Sequence, residues 1–166
     1  MKKLYTFITL ILCCLLLTST MIGCGKDEGK VFTKEGMSIT LTKDFHEKEY
    51  ISYTAYYESN NALVIVIKEP LKDFPSSYRN YNETEYAELV CSQNNLADIE
   101  VSTKEGYAEF SYEKNVSAKD FHYYARCFKT EDAFWTIQFA CLSSQKDKLN
   151  NNIQKWANSI TFATEE

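Results

Sequence analysis

The sequence predicts an α+β domain, an antiparallel sheet of about six to seven strands packed with two helices. Three observations carry that expectation. Runs of β-branched and aromatic residues with period-two alternation recur through residues 31–68 and 99–142. Residues 83–96 and 145–159 instead repeat apolar side chains every three or four positions, the period of a helix with one buried face. The order is hairpin, two strands, helix, further antiparallel strands and helix, so strands are grouped rather than alternated one by one with helices.

In chain order, Val31-Phe32-Thr33 and Met37-Ser38-Ile39-Thr40-Leu41 flank Lys34-Glu35-Gly36, which reads as a hairpin turning at Gly36. Residues 45–51 are charged and irregular. Residues 53–57 and 62–68 read as two strands joined around Ser59-Asn60-Asn61. In the second, Leu63-Val64-Ile65-Val66-Ile67 is apolar at every position, which predicts burial on both faces with a layer on each side. Pro70 ends that strand because it has no N–H for a ladder, and the stretch to Tyr81, which contains Pro75, reads as a loop.

Asn82 and Glu85 have the spacing of a capping box, and Tyr86, Leu89, Val90 and Ala97 follow at helical intervals, which predicts a helix over 83–96. Strands over 99–104 and 107–113 turn at Glu105-Gly106. Strands over 121–129 and 134–142 turn at Thr130-Glu131-Asp132. In the last strand Trp135, Ile137, Phe139 and Cys141 alternate with Thr136, Gln138 and Ala140, so one face is expected to be buried more fully. The final helix carries Leu149, Ile153, Trp156 and Ile160 as one apolar stripe facing the sheet, and Ile160-Thr161-Phe162 adds a short edge strand.

This order resembles the PsbP-like fold, an antiparallel sheet between helices that recurs among small bacterial lipoproteins of unassigned function. Gly36-Met37-Ser38-Ile39-Thr40-Leu41, the strand 63–67 before the first helix, Phe134-Trp135-Thr136-Ile137 and the closing residues 156–162 carry the likeness. It implies a fold and supplies no functional residues.

Ahead of the domain, Lys2 and Lys3 precede a stretch from Leu4 to Leu17 that is apolar apart from Thr6 and Thr9, followed by Thr18, Ser19 and Thr20. That is the layout of a secretory signal peptide. Its apolar core would be about 21 Å long as a helix, short of the roughly 30 Å hydrocarbon slab. It closes on Met21-Ile22-Gly23-Cys24, which resembles the lipobox of a bacterial lipoprotein. The resemblance implies cleavage after Gly23, a diacylglycerol on the Cys24 thiol, and a lipid-anchored protein on the extracytoplasmic face of the cell membrane. The alternative is an uncleaved signal anchor over 4–22. The chain then divides into a signal peptide (1–23), a lipidated cysteine with a short tether (24–30) and one globular domain (31–163). The tether, GKDEGK, reaches only about 20 Å when extended.

Without Lys2 and Lys3 the mature chain holds 16 Lys and Arg against 23 Asp and Glu, a net charge of −7. An acidic domain with no basic stripe is a poor ligand for polyphosphate, so nucleic acid is set aside as a partner. Attachment to the membrane falls to the lipid on Cys24, since anionic headgroups repel such a charge.

Among side chains with chemistry to offer, Cys91, Cys127 and Cys141 read best as three buried thiols, with a disulfide such as Cys91 to Cys141 as the alternative. His46 falls in a surface turn beside Asp44 and Glu47. His122, in strand order with Tyr124 and Arg126, is expected to point outward, opposite a core face of Phe121, Tyr123, Ala125 and Cys127. No nucleophile elbow, phosphate loop or metal-ligand spacing occurs, so neither cofactor nor metal is expected. Aromatic clustering is the stronger signal. Tyr50, Tyr53, Tyr56 and Tyr57 crowd one strand region, and Tyr78, Arg79 and Tyr81 form a candidate interaction loop, being residue types enriched where proteins grip partners.

The leading expectation is therefore a non-enzymatic binding or accessory module for an envelope protein or a cell-wall component. A small-ligand or glycan carrier with a tyrosine-lined groove is the second reading, and a carboxylate-based hydrolase the third.

Overall fold

The computed structural model describes residues 29–96 and 98–163. The leader, the lipobox with Cys24, most of the tether and Ala97 lie outside the described residues. Among the described residues ten strands form two sheets. Strands β1 (Lys30–Lys34), β2 (Met37–Leu41) and β10 (Thr161–Phe162) make a small sheet in the order β1-β2-β10. The large sheet takes β3 (His46–Lys48), β4 (Ala55–Glu58), β5 (Ala62–Pro70), β6 (Ser102–Lys104), β7 (Tyr107–Val116), β8 (Lys119–Lys129) and β9 (Ala133–Leu142) in the order β3-β4-β5-β9-β8-β7-β6. Every neighbouring pair is antiparallel. The helices are the single turn α1 (Ser76–Arg79), α2 (Glu83–Gln93) and α3 (Lys146–Ala157).

The N-terminal hairpin turns as expected. Glu35 and Gly36 both adopt positive φ, 48° and 89°, the conformation whose twist matches a two-residue hairpin. The hairpin does not extend the large sheet, however. It lies across one face with β10 paired to β2, and buries Phe32, Met37, Ile39 and Leu41 against Val64, Val66, Ile137 and Phe139. Helix α3 packs on the same face through Leu149, Ile153 and Trp156, and Trp156 meets Phe45 edge-on at 5.0 Å.

Helix α2 covers part of the opposite face. Its start is a complete capping box: the Glu85 N–H donates to Asn82 Oδ1 at 2.9 Å, and the Asn82 N–H donates to Glu85 Oε2 at 2.8 Å. Its end falls at Gln93 rather than residue 96. Asn95 turns left-handed (φ 59°), and the Leu96 N–H returns to the Cys91 carbonyl at 2.8 Å, closing a Schellman motif. Tyr86, Ala87 and Cys91 then pack on Ala108, Phe110, Ala125, Cys127 and Phe134. The small side chains among these let the helix lie close over β6, β7 and β8.

That placement corrects several sequence expectations. Val64 and Val66 are fully buried, but Leu63, Ile65 and Ile67 are only half-buried, because α2 packs mainly on β6, β7 and β8 and meets β5 only at Glu69. His122 does not point outward. It is buried on the face that carries the small sheet and α3, in line with Tyr124 and Arg126, while Phe121 and Tyr123 are half-exposed. A 3₁₀ turn, Ser143–Gln145, packs on β8 and closes over the His122 end. Residues 46–48 are an edge strand rather than irregular, and β7 and β8 form one long hairpin through Ser117 and Ala118. The three thiols are free and buried. Cys91 and Cys127 belong to the α2 side, whereas Cys141 faces the small-sheet side, so the sheet itself stands between Cys91 and Cys141.

Candidate functional site: a tyrosine-lined sheet face

Strand alternation decides which tyrosines of the 50–57 cluster reach solvent. In β4, Ala55 and Tyr57 turn into the core, and Tyr57 is fully buried against Phe32 at 4.6 Å. Burial raises its phenol to about 12. Tyr56 turns to the other face, where the register sets it beside Ile65, then Gln138, then Ala125. The next row is Leu63, Ala140, Tyr123 and Tyr112. Ala125 and Ala140 are buried in these rows, but Tyr56, Ile65, Gln138, Leu63, Tyr123 and Tyr112 keep part of their surface in solvent and form a partly open face.

Two tyrosine groups meet on it. Tyr50 and Tyr53, from the loop between β3 and β4, lean back on Tyr56: Tyr50 at 4.6 Å and 61°, Tyr53 at 6.0 Å and 20°. Across the sheet Tyr112 and Tyr123 stack at 4.8 Å with planes 8° apart. Gln138 stands between the groups and donates from Nε2 to Tyr112 Oη at 2.7 Å. Partial burial raises the pKa of Tyr56, Tyr112 and Tyr123, and the nearby Tyr53 hydroxyl adds to the shift at Tyr123. The phenols are therefore uncharged at neutral pH. At the border, Glu58 is paired with Lys48. The surface offers ring faces, hydroxyls and one amide: groups that bind by stacking and hydrogen bonding rather than by proton transfer.

The loop singled out from sequence lies elsewhere. Phe74 packs edge-on against Phe134 at 5.4 Å, at the end of β9 about 20 Å along the strand from Ala140. There Tyr78 and Tyr81 meet edge-on at 5.1 Å and Tyr81 joins the α2-side core. Arg79 turns its guanidinium inward on its own loop, Nε to the Phe74 carbonyl at 2.8 Å and Nη2 to the Lys72 carbonyl at 3.0 Å. Lys129 Nζ donates to the Arg79 and Tyr81 carbonyls. These contacts fold the segment onto the domain.

Tyr112, Tyr123 and Gln138 lie in no local cluster or motif that marks them as a site. Their signal is faint but present. Tyr123 follows Phe121 at alternate positions of a strand, and a hydroxyl-bearing ring suits a half-open site better than a closed one.

His46 is exposed on β3. His122 Nδ1 is buried without a hydrogen-bond partner. Among the described residues no three of His, Cys, Asp and Glu gather closely enough to hold a metal ion. A separate cleft of about 530 Å³ opens between the two sheets, lined by Glu35, Lys68, Asp132, Trp135 and Phe162, with no tyrosine in its wall. Lys68 lies over the Trp135 ring and pairs with Asp132 at 2.9 Å.

No protein-family model matches the sequence, and no curated protein does. The fold does have relatives among solved structures. The cyanobacterial PsbP protein CyanoP from Synechocystis superposes with a TM-score of 0.56 at 10% identity, over 87% of this chain and 98% of that one. A crystal structure from Bacteroides thetaiotaomicron gives a TM-score of 0.58 at 9% identity, over 83% of this chain and 50% of that one. A looser likeness, with a TM-score of 0.43 at 11% identity, links 84% of this chain to 87% of LpqN, a protein involved in cell envelope biogenesis of Mycobacterium tuberculosis. The fold is thus PsbP-like. Among the described residues no helix is long and apolar enough to cross a membrane.

Proposed function

We propose that this chain is a membrane-anchored extracytoplasmic lipoprotein, a non-enzymatic binding or accessory module whose tyrosine face holds a protein partner or cell-wall component. The observation that carries the reading is the partly open surface around Tyr56, Ile65, Gln138, Tyr123 and Tyr112, on the side of the sheet that α2 covers only in part. Tyrosine supplies a large contact area with only two side-chain torsions to immobilise. Here the rings already stack on one another, so less freedom remains to be lost on binding. The lipobox supplies the anchor, and the six-residue tether holds the domain near the bilayer.

Changing Tyr56 and Tyr123 together to Ala tests the surface. Co-purification from gently solubilised membranes is expected to lose its partner by a factor of about 30 or more, as expected for hot-spot residues, while the melting temperature shifts by only a few degrees. Unchanged capture would remove the face from the account. Cys24→Ala is expected to abolish acyl labelling and leader processing; labelling that persists would overturn the anchor.

A glycan carrier is the second reading, and one observation favours it. The near-parallel Tyr53 and Tyr56 rings offer planes on which sugar rings stack, and the Gln138 amide can meet their hydroxyls. Sedimentation with purified, protein-free sacculi separates glycan binding from capture of a protein partner: wild-type protein pelleting while the Tyr56/Tyr123 variant stays in solution supports a glycan ligand, and both remaining in solution leaves the protein partner.

A further inference from the structure

Ile51 occupies an odd place for an isoleucine. The Tyr53 N–H donates to the Tyr50 carbonyl at 3.2 Å, closing a tight turn with Ile51 and Ser52 at its apex. Such apices favour Gly, Asn, Asp or Ser. Ile51 is 109% exposed, with its whole side chain in water, and Tyr50 beside it is 50% exposed. The turn is nevertheless well supported, since Tyr50 meets the Tyr56 ring edge-on and Tyr53 stacks on it. A firmly held apolar tip is what an insertion loop needs.

Its position relative to the anchor matters as much. The preceding chain enters the domain at Lys30, the first residue of β1, a five-residue strand about 16 Å long. At the far end of that strand Lys34 Nζ bonds Glu47 Oε1 at 3.1 Å, only a few residues before the Tyr50–Tyr53 turn. Cys24 is separated from Lys30 by about 20 Å of extended chain at most. A bilayer holding the Cys24 acyl chains therefore lies within reach of the side formed by β1 and β3. Two of the acids on that side are matched, Glu47 with Lys34 and Glu58 with Lys48, while exposed Glu49 next to the turn lies outside these pairs.

We infer that the turn Tyr50-Ile51-Ser52-Tyr53 is a second membrane contact, with Ile51 entering the headgroup region of the bilayer that holds Cys24 and Tyr50 lying at the interface. The inference rests on the anchored reading above. One aliphatic side chain is a weak ligand for a free protein. Once the chain is tethered, the second contact is intramolecular, and a weak interaction suffices to set orientation. Tyrosine at the interfacial level is a common membrane-surface arrangement. The consequence is a fixed pose: the side formed by β1 and β3 lies against the lipid, and the tyrosine face, which begins at Tyr56, opens beside the membrane surface.

The test uses the intact lipoprotein carrying Ile51→Trp, reconstituted into phosphatidylcholine–phosphatidylglycerol vesicles with brominated acyl chains. Trp135 and Trp156 are 2% and 4% exposed, so the new indole is the exposed reporter and the wild-type spectrum supplies the background. Its emission is expected to shift to the blue and to fall about two-fold on bromination, whereas Ser111→Trp, at an exposed position of β7, stays unquenched. Vesicle flotation reads the anchor separately. Protein that floats with water-like, unquenched emission from residue 51, or with equal quenching at 51 and 111, overturns the membrane contact and leaves the anchor standing. Protein that fails to float overturns the anchor and this contact with it.

Discussion

Beneath the 3₁₀ turn Ser143–Gln145, His122 faces Cys141 across β9 and Glu113 across β7, with Lys146 nearby at the start of α3. Burial lowers its pKa, and the Lys146 ammonium lowers it further against a weaker pull from Glu113. The folded protein thus prefers the neutral imidazole. Above the unfolded value of about 6.5 that preference costs nothing; as pH falls below it, the unfolded chain takes up a proton that the native state resists. Stability contributed by this site is therefore complete above about pH 6.5 and is lost as pH falls toward the lower folded value. Urea titrations at about pH 7.5 and 5.5 are expected to show a drop in stability that His122→Gln reduces. An equal drop in both proteins would show that carboxylates alone carry the acid sensitivity. Arg126, two turns of the pleat away, is buried at 4% exposure yet well compensated. Its Nε donates to Tyr124 Oη at 2.7 Å, Gln154 and Glu109 lie at 3.3 and 3.7 Å, and the Tyr107 ring faces the guanidinium at 4.3 Å. Arg126 is thus satisfied on a face where His122 Nδ1 and Tyr57 Oη are buried without hydrogen-bond partners.

At the scale of elements, α2 is the one whose limits matter most. Its capping box and Schellman motif stop it at both ends, so it covers β6, β7, β8 and the Phe134 end of β9, touches β5 only where Tyr86 Oη donates to Glu69, and leaves β4 uncovered. Asn82→Ala removes one of the paired cap bonds and is expected to cost about 1 kcal/mol, or roughly 3 °C in melting temperature. A change within error would mean that packing of Tyr86 and Ala87 alone holds the helix. The same substitution should leave the tyrosine face intact, because no residue of α2 contributes to its two rows.

Over the whole molecule, one sheet has a closed side and a partly open side, and equal residues on the two should answer differently to truncation. Ile137, fully buried beneath the small sheet, is expected to cost about 2–5 kcal/mol as Ile137→Ala. Ile65, half-buried on the open rows, should cost no more than about 1–2 kcal/mol as Ile65→Ala, since part of its surface is already in water. Chemical denaturation of both variants decides the matter: equal losses would mean that the open face is covered in solution, by a second copy or by some other layer.

Much of this architecture is legible in the residues themselves because it depends on local physics. Gly36 and its neighbour need positive φ at a two-residue turn, Asn82 and Glu85 can satisfy each other's N–H groups, and Leu149, Ile153 and Trp156 share one helix face whatever surrounds them. Half of the tyrosine site is legible for the same reason: Tyr50, Tyr53 and Tyr56 are neighbours in sequence. Tyr112, Tyr123 and Gln138 join them only through strand order and register, which no short window contains. Nor does an apolar run such as residues 63–67 reveal whether one layer or two will cover it. The same blindness applies to His122, whose face is closed by residues 37–41 and 143–157 folding back from elsewhere in the chain. Local sequence determined the elements, their caps and the expectation of an anchor at Cys24. Tertiary structure decided which face stayed open, because coverage depends on where a helix of fixed length lands on a sheet wider than itself.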